Sequence, residues 1–459
     1  MAQPPPKRQP LASACAIPLA SRRAPGHQAT MNAPAPASVD TPLPAGRLSS
    51  LDGLRGLAVM GILLMNIAGF ALPSGAYFNP LAGGGAAPAD LVVWAFGFLF
   101  VDGKMRALFS ILFGASTLIV VTRAEEAGLS GARVHFARMI TLGLFGAAHL
   151  FLIWPGDILL HYALIGIVAL PFTQLEPRKQ MRIAILLLLI QLVVAAIFFA
   201  GFLQLEAAAA SPHASPADIA AWRDFAAGVG LGPWQEVARE AATLRGSWAG
   251  VVAYNWDTSA GAPLFVLAFD GPETLAFMLI GMAALKSGFL AGGWSRARYL
   301  RAAAIGYAIA LPPTALLCWL CFRTGFDTLA TFAAATIGGI PFRPILALAD
   351  AALALAWLEA RESPLRRRIR AAGRAAFTNY LGTSIAMTAL FYGWGFGLFG
   401  RIDRVGLLPI VLAAWIAMLA WSAPWLARFR YGPFEWAWRT LARGRPQPMR
   451  RSAIETVLQ

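Results

Sequence analysis

Charge is scarce in this chain: Asp, Glu, Lys and Arg make up 13 % of its 459 residues, against about 25 % in an ordinary soluble domain. A chain so poor in charge cannot cover its surface for water, so most of it must face lipid. Cysteine is scarcer still, at three residues, which excludes a disulfide framework. Cys318 and Cys321 form a C-x-x-C inside "ALLCWLCF", with no second pair and no nearby His. They read as small buried residues that pack as hydrophobes. No P-loop, no G-x-G-x-x-G opening a helix, no H-E-x-x-H and no G-x-S-x-G occurs in a credible setting. Hydrolytic, nucleotide-driven and zinc chemistries therefore lack support, and neither a metal nor a tightly bound cofactor is expected. Short alternating segments are also missing, which excludes a transmembrane β-barrel.

What the chain has is long apolar runs, with 58 % hydrophobic residues. A helix crosses a bilayer with about 20 apolar residues. Spans are read at 54–73, 90–122, 139–155, 157–174, 183–204, 271–289, 301–322, 327–359, 375–397 and 405–427. The expected fold is all-α, a polytopic transmembrane bundle of about ten spans, two of them broken or re-entrant. The breaks are "DGKMR" at 102–106 and "GGIPFRP" at 338–344. The charge of +15 follows topology, so no nucleic-acid partner is called. If each broken segment crosses once, 29 of the 38 Lys and Arg residues fall on one side. The positive-inside rule then puts both termini in the cytoplasm.

The organisation that follows has five parts. Residues 1–46 are Pro-, Ala- and Ser-rich and expected to be disordered, without a signal-peptide core; Met31 is an alternative start. Residues 47–204 form a first transmembrane bundle, and 205–270 an extracytoplasmic loop or cap with a helical pattern near 216–245. Residues 271–445 form a second transmembrane half ending in an interfacial helix, and 446–459 a cytoplasmic tail.

Polar groups inside such spans are costly and are functional candidates by default. "HLFLIWPGDILLHYA" at 149–163 puts His149 and His161 on helices joined by a Trp-Pro-Gly turn. Asp157 and His161 are four residues apart, a spacing at which side chains meet on a helix. A carboxylate holding an imidazole makes a positioned general base, although Asp157 could equally cap its helix. In "FVDGKMRALFSILFG" the candidates are Asp102, Lys104 and Arg106. They suit a phosphate-bearing donor, or an internal Asp102–Arg106 pair that stabilises the break. In "RLSSLDGLRGLAVMGILLMNI", Asp52 and Arg55 open the first span and Asn66 lies about 16 Å deeper at 1.5 Å per residue. Cap and anchor account for the first two; an interhelical hydrogen bond is the plain account of Asn66. Asn379 and Tyr380 stand within a late span, and Glu435 sits among the aromatics of "FRYGPFEWAWR" without an evident role.

Taken with "GRAAFTNYL", these segments in their order along the chain resemble the signatures of the YeiB-like bacterial membrane family, over about 47–445. The resemblance implies a protein of the bacterial inner membrane; the C-terminal half of that family is catalogued as a domain of unknown function. The family is similar in turn to membrane acyltransferases, such as O-acyltransferases of surface polysaccharides and the heparan glucosaminide N-acetyltransferase. That resemblance implies a cytoplasmic acyl-CoA donor, a glycan or lipid-linked acceptor across the bilayer, and an intramembrane His, here His149. The expectation is an acyltransferase-like protein with His149 and Asp157 as base and orienter and Arg55, Lys104 and Arg106 on the donor. Asp52, Asn66, Asp102, His161, Asn379 and Tyr380 would complete one interior polar site. The alternatives are a small-solute permease and a non-catalytic membrane protein.

Overall fold

The computed structural model describes residues 48–83, 85–228 and 234–451; the expected disordered extension and the last residues of the tail lie outside them. The described residues are helical, with no strand. The first half contains α1 (Ser49–Ala71), α2 (Pro88–Phe100), α3 (Lys104–Glu126), α4 (Gly131–Leu152), α5 (Leu159–Ala169) and α6 (Pro177–Ala209). Between the halves stand α7 (Pro216–Gly228), α8 (Trp234–Leu244) and α9 (Trp248–Ser259). The second half contains α10 (Ala262–Lys286), α11 (Arg296–Arg323), α12 (Thr328–Ala333), α13 (Arg343–Leu358), α14 (Pro364–Arg374), α15 (Ala376–Phe391), α16 (Arg404–Arg428) and α17 (Pro433–Arg443).

Among the described residues, seven stretches are long and apolar enough to cross a membrane: α1, α2 with α3, α4, α6, α10, α11 and α16. The bent pair Leu329–Gly338 and Arg343–Leu358, whose axes meet at 60°, is either an eighth, broken span or a re-entrant loop. The count is therefore seven or eight instead of about ten. The two spans that fall short are α5, which with its 3-10 turn ends at Gln174, and α15, of 16 residues. The long spans α6 and α10 run further than expected, so the segment between them is 210–261.

Local sequence sets where these helices start. Ser130, Ser295 and Ser363 accept the N–H of Arg133, Arg298 and Arg366 and so cap α4, α11 and α14, satisfying orphan N–H groups of each first turn. Gly103, at φ 73°, turns the chain between α2 and α3, in a region that side-chain-bearing residues rarely enter.

Helix pairing depends on missing side chains. A Cβ on Gly114 would strike the Met278 backbone, and one on Gly281 the Ile111 carbonyl, so α3 and α10 touch backbone to backbone. Gly56 and Gly373 do the same between α1 and α14, against Ile369 and Asp52. Small residues at the contact are how helices associate where lipid removes the hydrophobic drive.

The bundle has two ends. At one, Lys286 donates to the Thr173 and Leu175 carbonyls, Ser50 donates to the Leu290 carbonyl, and the Trp438 indole of α17 donates to the Arg138 carbonyl. Most of the described arginines lie there, and we call it the basic end. At the far end, Gly400 donates to the Ala71 carbonyl, Gly393 to the Leu244 carbonyl, and Trp248 to the Leu152 carbonyl.

Candidate functional site

Three helix discontinuities meet in the middle of the bundle. Two are the breaks legible in the sequence, at 101–103 and between α12 and α13. The third is Pro272 within α10, which removes one backbone donor and disturbs the preceding turn. Buried Gln191 repairs it, donating to the Phe269 carbonyl at 2.6 Å and accepting the Glu273 N–H at 3.3 Å. Glu273 is thereby fixed with its side chain wholly buried. Arg106 donates to one carboxylate oxygen of Glu273, and Arg343 to the other at 2.7 Å. Arg343 also donates to the Ala335 and Thr336 carbonyls, which the bend between α12 and α13 leaves without helical partners. Lys104 plays the same part at the first break, donating to the Phe98 carbonyl. Asp102 does not pair with Arg106, because Gly103 ends the helix between them; Arg106 turns instead to Glu273 and, at 3.9 Å, to Asp270.

Two cavities flank this knot. The larger, about 1010 Å³, opens at the basic end and is lined by seven arginines: Arg55, Arg123, Arg138, Arg374, Arg439, Arg443 and Arg445. Asp52 and Glu435 are the carboxylates of its wall. Asp52 pairs with Arg55 at 3.1 Å, and Arg55 also donates to Ser116 at 2.7 Å. Glu435, unexplained by its sequence, accepts the Phe377 and Thr378 N–H groups and the Thr378 hydroxyl. It caps α15 from a neighbouring helix, which docks α17 as one wall of the cavity. The Arg138 guanidinium lies 4.2 Å over the Trp438 ring, a cation–π contact that positions its charge.

The cavity ends at Tyr162 and Tyr380. Behind Tyr380, with ring centroids 5.4 Å apart, lies His149. His149 Nδ1 stands 2.7 Å from Asp157 Oδ2, both side chains being buried. Asp157 Oδ1 accepts the Leu160 N–H at 2.8 Å, so one carboxylate caps α5 and holds the imidazole. When His149 Nδ1 keeps its hydrogen and donates it to Asp157, Nε2 carries a free lone pair; Nε2 is buried and has no partner among the described residues. Asp157 does not meet His161 as their spacing suggested, since α5 begins only at Leu159. His161 Nε2 is instead 2.9 Å from the Thr274 hydroxyl, on the Glu273 side.

The smaller cavity, about 600 Å³, lies in the far half, lined by Asp102, Lys104, Arg106, Asp270 and Arg343 and by many aromatic rings. Tyr162 belongs to the wall between the two: its hydroxyl is 2.7 Å from Ser110 and donates to the Arg106 carbonyl at 3.3 Å. The expected donor set is thus divided, with Arg55 at the basic cavity and Lys104 and Arg106 at the other. The single interior site divides likewise. Asn379 donates to the Ala372 carbonyl and accepts from the Trp421 indole, which locks α14, α15 and α16 together. Asn66 is half-buried, lines neither cavity and makes no side-chain hydrogen bond among the described residues.

Reasoning from sequence missed Glu273 and Arg343, the centre of the knot. An acid directly after a proline within an apolar span, "DGPETLAFM", was the available signal. Cys318 and Cys321 are buried free thiols, and no group of three or more metal-ligating side chains occurs among the described residues.

This chain is 33 % identical to the Uncharacterized protein YeiB of Escherichia coli (strain K12) over 85 % of its length and 95 % of that protein. The chain belongs to the YeiB family. A second relative, the Uncharacterized protein YxaH of Bacillus subtilis (strain 168), is 29 % identical over 86 % of this chain and 94 % of its own length. The family model described as "Protein of unknown function (DUF418)" matches residues 284–445. In YeiB-family terms that match takes in α11 to α17, and so Arg343, Tyr380 and the Glu435 cap, while the His149–Asp157 pair precedes it. No solved structure matches the chain significantly.

Proposed function

We propose that the protein transfers an acyl group from an acyl-CoA bound in the basic cavity to a hydroxyl or amine acceptor. The observation that carries this reading is the course of that cavity: a rim of arginines at one end, and at the other Tyr380, whose ring covers the His149–Asp157 pair. Arginines bind phosphate groups with paired, charge-assisted hydrogen bonds, so the phosphates of coenzyme A would sit at the rim and its pantetheine arm would run inward. The reading puts the basic end and both termini in the cytoplasm of a bacterial inner membrane, following the positive-inside rule.

In the reaction, rotation of Tyr380 exposes His149. The acceptor O–H or N–H gives its proton to Nε2 as its heteroatom attacks the acyl carbonyl. The carbon–sulfur bond then breaks, and the imidazolium returns the proton to the leaving thiolate. Asp157 keeps Nδ1 protonated and so holds Nε2 available, a general-base arrangement worth about 10²–10⁴-fold in rate. The acceptor, a glycan or a lipid-linked sugar, is a matter of this proposal alone.

The test is the thermal stability of the purified protein with acetyl-CoA, longer acyl-CoAs and CoA. A ligand that binds only the folded state stabilises it by about 2.7 kcal/mol at a hundredfold excess over its Kd. A saturable shift is expected, lost in Arg138→Gln with Arg439→Gln and kept in His149→Gln, which instead loses transfer of a labelled acyl group. Absence of a shift with every CoA species at about millimolar concentration, a Kd range worth only ~4 kcal/mol, would overturn the proposal. The second reading, a small-solute permease, draws on the two cavities lying on either side of one wall. It predicts flux of an unaltered solute.

A further inference from the structure

The smaller cavity has a composition of its own. Its sides are aromatic, with Trp94, Phe198, Phe202, Phe265, Phe269 and Phe332 among the lining rings. Its volume of about 600 Å³ falls within the range of small-molecule sites, ~300–1,000 Å³. Phe202 stacks on Phe225 of α7, with centroids 3.9 Å apart, so the segment between α6 and α10 helps to close it. An apolar body would fill these walls.

The floor decides which head group that body carries. Three cations and three carboxylates gather there, and the cations are already engaged: Arg106 on Glu273 and Asp270, Arg343 on Glu273 and two carbonyls, Lys104 on a carbonyl. An anionic head would have to displace a carboxylate from an arginine, or compete with Asp102 for the Lys104 ammonium. The acceptors are differently placed. Asp270 keeps 31 % of its side chain exposed while Glu273 keeps none. Asp102 lines the cavity and its carboxylate accepts no hydrogen bond among the described residues. Lys104, Arg343 and Arg404 act on Asp102 only through space, and this unused accepting capacity at the floor of an apolar chamber calls for a hydrogen-bond donor.

We propose that this cavity binds a single-chain amphiphile whose head donates hydrogen bonds, a hydroxyl or an amine, with its chain among the phenyl rings and its head on Asp102 and Asp270. The site is independent of any acyl transfer at His149, and it would serve a transported amphiphile as well as an acceptor.

The experiment is photo-crosslinking in phospholipid nanodiscs with three long-chain diazirine probes, an alcohol, an amine and a carboxylic acid, followed by peptide mapping. The alcohol or the amine is expected to label the neighbourhood of Phe202, Phe265 and Phe332 saturably, with competition by the untagged compound. The acid should label about tenfold less or weaker still, because its charge would have to compete with Asp102, Asp270 and Glu273 for cations these carboxylates already balance. Asp102→Leu should abolish saturable labelling. Asp102→Asn keeps an acceptor and removes the charge, so retained labelling by the alcohol identifies a hydroxyl head, and loss of labelling by the amine an ammonium head. Ala335→Phe, which fills the cavity from its apolar side, should also abolish labelling and leaves the Asp102 and Asp270 carboxylates in place. Equal labelling by the acid, labelling confined without saturation to lipid-facing residues such as Leu189 and Ile197, or indifference to both Asp102→Leu and Ala335→Phe would overturn the proposal.

Discussion

Glu273→Gln is the perturbation that reaches furthest into this fold. The carboxylate is wholly buried, while Arg106 and Arg343 keep 18 % and 11 % of their side chains exposed. Removing its charge leaves two guanidinium groups facing one neutral amide. Breaking a buried pair by deleting one partner costs about 3–5 kcal/mol, mostly because the remaining charge is stranded. The lower end, about 3 kcal/mol, is expected here, since Arg106 retains Asp270 at 3.9 Å and Gln retains one acceptor oxygen. The assay is reversible unfolding in mixed micelles with a denaturing detergent, followed by tryptophan fluorescence. The same reasoning predicts non-additivity. Replacing the pair with apolar residues, Glu273→Met with Arg343→Met, should be less harmful than Glu273→Met alone, because no charge of that pair is left behind. A Glu273→Gln loss within about 1 kcal/mol, the range of an exposed ion pair, or a double variant no better than the single one, would refute the idea that this knot holds the three broken helices together.

Other consequences are simpler to state. Gly114→Ala and Gly281→Ala should each destabilise by about 1–3 kcal/mol, the usual cost of overpacking, since either Cβ meets backbone of the partner helix; Gly201→Ala, with open space around it, serves as the control in the same unfolding assay. Glu435→Ala should cost about 0.5–2 kcal/mol as a lost N-cap, and hydrogen exchange should show the first turn of α15 opening before the rest of that helix. Burial raises the Glu240 carboxyl above the usual carboxylate range despite the hydrogen bonds from Ser74. The folded chain therefore holds this proton more tightly than the unfolded chain. That contribution is complete below the unfolded carboxylate value and lost as the pH rises through the folded one. The melting-temperature advantage of the parent over Glu240→Gln should accordingly shrink as the pH rises above the ordinary glutamate value of about 4.3, and a constant difference would contradict the assignment.

How much of the site was legible follows from the range of each interaction. The helix breaks are written in local glycines, prolines and charges: they read as 102–106 and 338–344 in the sequence and lie at 101–103 and 339–342 in the structure. His149 and Asp157 are eight residues apart across a tight turn, so their meeting was within reach of a pattern argument, although the same argument also paired Asp157 with His161. That pairing failed because the turn residues delay the helix to Leu159. Lys104, Arg106 and Arg55 looked alike as cations, yet an arginine's role depends on what faces it. Arg106 faces Glu273, 167 positions along the chain, and no local pattern carries that information.

The sequence by itself determined that this is a helical membrane protein, which end of the bundle is basic, where its spans break and which family it belongs to. Those properties follow from composition, from apolar runs measured against bilayer thickness, and from backbone geometry at glycine and proline, all of them local. Only the tertiary structure decided that the polar residues form two cavities with one wall between them, that Glu435 is a cap, and that Glu273 ties three broken helices together. Each of these depends on side chains far apart in sequence meeting in a medium that leaves a buried charge or an open backbone group no water to turn to.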